Sequence, residues 1–393
     1  MQNILFVLYF DFRANSAVHV HHFANSLVEQ GLHCVVAVPQ NKETIAVLGR
    51  HLYQTVEFEE IHQLANVFPN GKGPEIVHAW TPREVVRLYC EQLREHYDFK
   101  LLIHLEDNEE HILEKSLQKP YKELRQHCPD LIPLHLSHPL NYHTFLETAD
   151  GVTLIVDRLQ EFVSDQTPTL MLYPGADTAC FFPRERDAEF AALLGIPLNS
   201  TVLCYTGNVH PANAHEVRSL YLATAMLNRE GYPTVLIRTG QGDFNSLGED
   251  DRWLKRYAIE LGFVERDRLP DILALADVLV QPGRSDAFND YRFPSKIPEF
   301  LAMGKPLILP AANIGLRMEH KRDALVLPIV DALHIVESVK LLLGDKELYD
   351  TLSYGSLNFA KKHLSWSKSS ENLKAFYETV FKNEKTETWV VRT

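Results

Sequence analysis

The sequence predicts an α/β protein built as two halves, each a mostly parallel sheet with helices on both faces. Three observations carry this. At 393 residues the chain is too long for one ordinary core, so two domains are the natural expectation. Apolar strand-like runs alternate with helical stretches, an order that builds a parallel sheet. That alternation starts afresh at Val202, after a stretch from Tyr173 to Ser200 rich in Pro, Asp and Gly that reads as an inter-domain link.

In the first half Ile4 to Tyr9 is an apolar run that reads as a buried strand. Val18 to Gln30 reads as a helix, with Val18, Phe23, Leu27 and Val28 mostly on one side and Gly31 as its stop. Strands are expected at Val35 to Val38, Glu75 to Ala79, Lys100 to Leu105, Gly151 to Val156 and Thr169 to Tyr173, with a helix from Thr81 to Glu95. In the second half, strands are expected at Val202 to Tyr205 and Thr234 to Arg238. Helices are expected at Ala214 to Arg229, Trp253 to Leu261, Leu269 to Leu275, Val330 to Leu343 and Lys346 to His363. A last helix, about Ser367 to Lys382, precedes a tail that reads as loose.

Composition narrows the function. With 45% apolar and 23% charged residues the chain is an ordinary globular one, and no stretch is apolar enough to span a membrane. The start MQNILFVLYF lacks a basic region and a small-residue cleavage site, so it reads as a first strand rather than a signal peptide. Cys34, Cys90, Cys128, Cys180 and Cys204 are scattered and odd in number, which suits a reducing cytoplasm and offers no zinc spacing. The net charge of −13, most of it before Gly175, argues against nucleic-acid binding and limits membrane contact to a peripheral one. There is no Asp-x-Asp, no Gly-x-Gly-x-x-Gly after the first strand, no Gly-x-Ser-x-Gly and no P-loop. His19, His21 and His22 do not share one helix face and no Cys or carboxylate completes a ligand set, so no metal is expected.

The most informative segment is VLVQPGRSDAFNDYRFPSKIPEFLAMGKPLIL, Val278 to Leu309. It reads strand, polar loop, helix from Pro294 and Ser295, Gly304 stop, strand: the unit that binds nucleotides at a helix N-terminus. Lys296 and Glu299 fall in the first turns of that helix. There an ammonium can meet a diphosphate and a carboxylate can hold both hydroxyls of a ribose.

SKIPEFLAMGKPLI resembles the donor-binding helix of family 4 retaining glycosyltransferases (group 1 glycosyltransferases), which have the GT-B fold: two Rossmann-like α/β domains facing across a cleft. YPGADTACFFP resembles the family's inter-domain signature through Gly175, Asp177, Phe182 and Pro183. The resemblance implies an N-terminal acceptor-side domain over 1–175, a C-terminal nucleotide-sugar-binding domain over 176–366 and a helix over 367–393 that crosses back. It implies transfer of a sugar from a nucleotide-diphosphate sugar to an acceptor with retention of configuration, in the cytoplasm. No cofactor is implied beyond the co-substrate.

Residue by residue, the resemblance makes Glu299 the ribose ligand and Lys296 a diphosphate ligand. It sets Gly207 in the loop after the first strand of the second domain, and the backbone of Leu261, Gly262, Phe263 and Val264 against the base. Arg238, at the end of LIRTG, either faces the cleft or pairs with a carboxylate. His104, at a strand end, positions the donor sugar, with Asp107 and Glu109 beside it to orient an acceptor hydroxyl, unless that acidic loop is merely solvated. Near the first strand the family has a Gly-Gly turn; here DFRANSA stands instead, with Asn15 and Ser16 as donors and Arg13 as added charge.

Two departures matter. The family's Arg and Lys clamp falls on Asn208 and Asn213, amides that can donate hydrogen bonds, Asn208 to the nucleotide sugar, but carry no charge, so Arg292, Lys296 and the helix start at Ser295 are expected to supply it. The family's first glutamate falls on Tyr291, leaving Asp286, Asn289 or Asp290 to hold the sugar. These departures keep two rivals open: a nucleotide-sugar epimerase on the same fold, and a non-catalytic nucleotide-sugar-binding module.

Overall fold

The computed structural model describes residues 2–129, 131–210, 213–242, 253 and 255–382, so the tail beyond Lys382 lies outside the described residues. The chain folds as two compact units. The first runs to Tyr173 and resumes at Trp366; the second is Pro174–Ser365.

The first unit is built on strands β1 (Asn3–Val7), β2 (His33–Val38), β3 (Gln54–Glu57), β4 (Ile76–Trp80), β5 (Lys100–Leu105), β6 (Gly151–Leu154) and β7 (Thr169–Met171). They form one parallel sheet in the order β3-β2-β1-β4-β5-β6-β7. Every residue of β1 and β4 is buried, as expected of a parallel sheet covered on both faces. Helix α1 (Asn15–Glu29) starts three residues earlier than its apolar pattern indicated, so Asn15 and Ser16 belong to its first turn and not to a loop. β3 is a short strand that sequence periodicity passed over, because its four residues hold one buried apolar side chain, Val56. Beyond β5 lie three short helices, Glu109–Leu117, Tyr121–Gln126 and Tyr142–Glu147, and Leu113, Leu124, Ile132 and Leu136 form a small core of their own there.

The chain's last described helix, Trp366–Lys382, completes the first unit by packing against α1 and over β6. A Cβ on Gly151 would lie 3.0 Å from both Phe376 Cζ and Val380 Cγ2, so the glycine is what lets this helix approach the sheet.

The second unit carries β8 (Thr201–Thr206), β9 (Thr234–Thr239), β10 (Ala258–Glu260), β11 (Val278–Val280), β12 (Gly283–Arg284), β13 (Leu307–Pro310), β14 (Leu325–Leu327) and β15 (Ile329–Val330). Six form a parallel sheet ordered β10-β9-β8-β11-β13-β14, and β12 and β15 form a small antiparallel pair. The helix expected over Trp253 to Leu261 is corrected from Lys255 onward, Trp253 being helical and residue 254 outside the described residues: Lys255–Tyr257 is a 3-10 turn and Ala258–Glu260 is an edge strand paired to Leu236–Arg238. Pairing with an open sheet edge overrides the local helical pattern.

In each sheet the connection order reverses beside the first strand, between β1 and β4 and between β8 and β11. Open α/β sheets bind ligands outside the carboxyl ends of the strands at such points. The residues singled out by sequence cluster there, unit by unit. At the end of β4, Thr81 is buried with φ of +78°, a backbone state that is costly for a β-branched residue.

Candidate active site

In the second unit three strand-end loops meet through glycines. β8 ends at Gly207, with φ of +138°. A Cβ on Gly240, at the end of β9, would overlap the Gly207 carbonyl at 2.5 Å, and Gly240 N donates to Gly262 O at 2.6 Å. The loop after β10 thus joins the other two, with Phe263 67% exposed and Val264 half-buried beside it.

Lys296 reaches over this junction. A Cβ on Gly207 would lie 3.0 Å from Lys296 Nζ. The ammonium donates to Tyr205 Oη at 3.0 Å, sits 4.1 Å above that ring, and lies 3.5 Å from Gln281 Oε1. These partners are neutral, so the contacts fix the charge without cancelling it.

The helix that begins here is Ile297–Ala302, two residues later than expected, with Lys296 as its N-cap and Pro298 in its first turn. Ser295 is therefore outside the helix and exposed, and the proline removes one of the free N–H groups that the sequence reading assigned to an anion.

Glu299 is 8% exposed, and Arg266 Nη2 is 2.9 Å from its Oε1. Burial pushes the Glu299 carboxyl up to about 7, against the opposing pull of Arg266 and Lys296. Arg292 stacks on Phe288 at 3.9 Å and donates from Nη2 to Asn289 Oδ1 at 3.1 Å. Asn289 in turn donates to Glu216 Oε1 at 2.6 Å. Burial raises the Glu216 carboxyl, and its Oε2 is buried with no partner among the described residues.

Several sequence-derived roles are corrected. Arg238 is fully buried and bonds Glu260 at 2.7 Å, with Nη1 3.4 Å from the carbonyls of Gly207 and Thr239. It braces the loop and is not presented to a ligand. Asn213 is also buried: its Oδ1 accepts from His210 N at 2.8 Å and its Nδ2 donates to Asn208 O at 2.9 Å. Asn208 remains exposed and accepts from Gln241 N at 2.8 Å. Asp286 caps the turn at Asn289–Tyr291 by accepting from Phe288 N and Asn289 N, and Asn289 is 2% exposed with both ends of its amide engaged. Asn289 is therefore not a free sugar ligand, whereas Asp286 is exposed and makes these bonds through Oδ1 alone. Asp290 is half-buried; one oxygen accepts from Ser285 Oγ at 2.7 Å and Oδ1 is buried with no partner among the described residues.

In the first unit Trp80, His104 and Thr153 stand side by side across β4, β5 and β6. His104 is 1% exposed, lies 4.0 Å from the Trp80 ring, and bonds Thr153 Oγ1 through Nδ1 at 2.8 Å. Its Nε2 is buried with no partner among the described residues. Two residues on, Glu106 accepts from Trp80 Nε1 at 2.7 Å, from His19 Nδ1 at 3.1 Å and from Ser16 Oγ.

The acidic loop is thus not a solvated one. Glu109 is buried against Arg83 Nε at 3.3 Å and Ser137 Oγ at 2.8 Å, which excludes it from an acceptor. Asp107 stays half-buried. Arg13 is paired to Asp11. The three histidines diverge: His19 meets Glu106, His21 bonds Tyr53 Oη at 2.9 Å, and His22 stacks on Trp366 at 4.5 Å. Beside the ends of β1 and β2 opens a pocket of about 200 Å³ walled by Tyr9, Phe10, Val85 and Leu134, with Asn41 and His135 on its polar side.

Residues 200–345 match the family model of the group 1 glycosyl transferases. The matched stretch lies within the second unit. The D-inositol 3-phosphate glycosyltransferase of Saccharomonospora viridis is 27% identical over 235 residues, 56% of this chain and 52% of its own. The protein of the same name from Mycolicibacterium vanbaalenii is 30% identical over 226 residues, 53% of this chain and 47% of its own. The chain therefore spans about half the length of the curated relatives it matches. HepE from Anabaena, solved with UDP and glucose, superposes with a TM-score of 0.73 at 14% identity over 96% of this chain and all of that one. At that identity the likeness is one of fold, and the fold is GT-B.

The second unit also holds a residue that sequence reading missed. The His210 ring stands edge-on to Phe288 at 6.2 Å, and burial, then Arg292 and Lys296, lower its pKa. Two cations thus raise the local potential around His210, the setting an anion would need. Its signal was present in TGNVHPANAHEV, where it was passed over for the two asparagines. Glu106 was likewise legible only as one acid among several.

Proposed function

We propose that the protein is a retaining glycosyltransferase that moves a sugar from a nucleotide-diphosphate sugar to an acceptor hydroxyl. One observation carries the reading: an ammonium, Lys296, hydrogen-bonded to a neutral phenol and held over a glycine at a strand end, with a buried carboxylate three residues further on. Lys296 and Arg292 take the diphosphate, and the charge they supply stabilises the leaving group. Glu299 takes the ribose hydroxyls, and the half-buried stretch from Leu261 to Val264, with Phe263 exposed, offers backbone to the base. In the first unit His104 positions the sugar, and the pocket beside Tyr9 and Phe10 takes part of the acceptor. Asp290, with an unsatisfied oxygen, is the carboxylate best able to receive a sugar hydroxyl in the donor-binding unit.

The curated relatives are named as glycosyltransferases and HepE was solved with UDP, which supports a uridine nucleotide as the first donor to test. No metal enters the scheme, since cationic side chains can neutralise the diphosphate. Five scattered cysteines, odd in number, support a reducing, cytoplasmic setting. Titration calorimetry with UDP, GDP and their glucose conjugates, followed by assay for released nucleotide, tests this. Saturable binding abolished by Lys296→Met supports it, and no binding of any nucleotide rejects it. Binding without turnover would favour a non-catalytic module, the reading that the amides at Asn208 and Asn213 leave open.

A further inference from the structure

The first unit contains a continuous line of buried polar groups. Tyr377, on the last helix, bonds His78 Nδ1 at 2.7 Å. His78 Nε2 lies 2.9 Å from Thr153 Oγ1, and Thr153 Oγ1 lies 2.8 Å from His104 Nδ1. All four residues are at most 1% exposed. Burial pushes the His78 and His104 imidazoles far below their usual range, His104 to about 3, so both are neutral and each carries one N–H. His104 Nε2, the end of the line, is the one position with no partner among the described residues. Glu106 does not take it, being occupied by Trp80, His19 and Ser16.

Proton counting gives the line a direction. A hydroxyl donates one hydrogen, and a neutral imidazole donates from one nitrogen and accepts at the other. With the Tyr377 hydroxyl donating to His78 Nδ1, His78 must donate from Nε2 to Thr153. Thr153 then donates to His104 Nδ1, and the His104 proton sits on Nε2. Run the other way, the His104 proton sits on Nδ1 and the Tyr377 hydroxyl loses its acceptor as well. The first arrangement leaves one buried group unsatisfied and the second leaves two, so the first is favoured. A single unsatisfied buried donor at the end of a satisfied line is a group waiting for an oxygen.

We infer that Tyr377, His78 and Thr153 are positioning residues: they form a relay that fixes His104 as its Nε2–H tautomer, a neutral donor for a ligand hydroxyl. The assignment of that hydroxyl to the donor sugar rests on the function proposed above; the relay itself does not. The device ties the last helix, which touches no proposed substrate group, to the hydrogen-bonding state of the site.

Nitrogen-15 labelling of histidine in the full chain tests it, with long-range proton–nitrogen correlations reporting which ring nitrogen of each imidazole is protonated. The His104 signals are assigned by their loss in His104→Gln. The expected result is a protonated Nε2 and an unprotonated Nδ1 in the wild-type protein. Protonation at Nδ1 overturns the proposal, and should His104→Gln fail to fold, the His104 signals are assigned by through-bond correlation to the backbone in the wild-type chain. Tyr377→Phe removes the donor that sets the direction and is expected to yield a mixture of His104 tautomers, with a several-fold loss of kcat and little change in donor KM. An unaltered His104 pattern in Tyr377→Phe removes Tyr377 from the relay. Failure of every nucleotide sugar to bind would reject the functional reading and leave the tautomer result standing.

Discussion

Arg266 Nη2 lies 2.9 Å from Glu299 Oε1, a half-exposed cation closing over a carboxylate that is otherwise buried. The carboxylate has few other partners, so the arginine both stabilises its charge and occupies the edge where two ribose hydroxyls would bind. Glu299→Gln keeps the shape and removes the charge. Donor affinity is expected to fall by about 1.5–3 kcal/mol, the usual worth of a hydrogen bond to a charged group. Calorimetry on the folded variant checks this; unchanged affinity removes Glu299 from the ribose site.

The same carboxyl predicts two opposite pH effects. In the folded protein it holds its proton up to about 7, against an ordinary value of 4.5. Between these values the folded state binds more protons than the unfolded one, so this group makes stability fall as pH rises from about 4.5 to about 7. Donor binding runs the other way, because the ionised form accepts from both hydroxyls, and affinity is expected to rise between pH 6 and 8. Melting curves and titrations across that range should diverge in wild type, and the divergence should vanish in Glu299→Gln.

Lys296→Met separates charge from packing. Its methylenes cover Gly207 and Tyr205, which methionine can replace, while the ammonium is lost. Turnover is expected to drop by about two orders of magnitude, as for other transition-state charge partners, with little change in melting temperature. Tyr205→Phe removes only the phenol that steadies Nζ and should cost far less. Equal losses in the two variants would show that the ammonium acts only when the Tyr205 hydroxyl holds it in place.

Arg238 illustrates the opposite case. It is the buried partner of Glu260, which also accepts from Tyr221, and it supports the Gly207 carbonyl. Arg238→Met leaves that partly exposed carboxylate without its cation, and losing a hydrogen bond to a charged group costs about 1.5–3 kcal/mol. Thermal denaturation should show a large loss. A variant that melts like wild type yet no longer binds donor would restore Arg238 to the ligand site.

The two-unit α/β plan was legible because buried parallel strands are short apolar runs, as Ile4 to Tyr9 and Val278 to Val280 demonstrate. Lys296 and Glu299 were legible because the strand, loop and helix that carry them are local in sequence. What escaped reading was set by distant partners. The strand Ala258–Glu260 exists because β9 offers an edge, and Arg238 turned inward because Glu260 came with that strand. Asn213 looked like a ligand until the loop it ties together was seen. Glu106 was indistinguishable from its acidic neighbours, since Ser16, His19 and Trp80 lie 90, 87 and 26 residues away.

That convergence on Glu106 has a measurable consequence in acid. Burial raises its pKa, but the bonds from His19 and Ser16 and the nearby His104 outweigh it and hold the carboxyl at about 2. Its ordinary value is 4.5, so the stabilisation it contributes is complete above that pH and is lost as pH falls from about 4.5 to about 2. A displacement of this size corresponds to roughly 3 kcal/mol. Glu106→Gln accepts fewer of the same bonds and carries no charge; it is expected to melt well below wild type at pH 7 and to approach it near pH 3. Denaturant titrations at both pH values check the prediction. A constant difference between the two proteins would mean that Glu106 stabilises the first unit by shape alone, and that the cluster of Ser16, His19 and Trp80 around it is not organised by a negative charge.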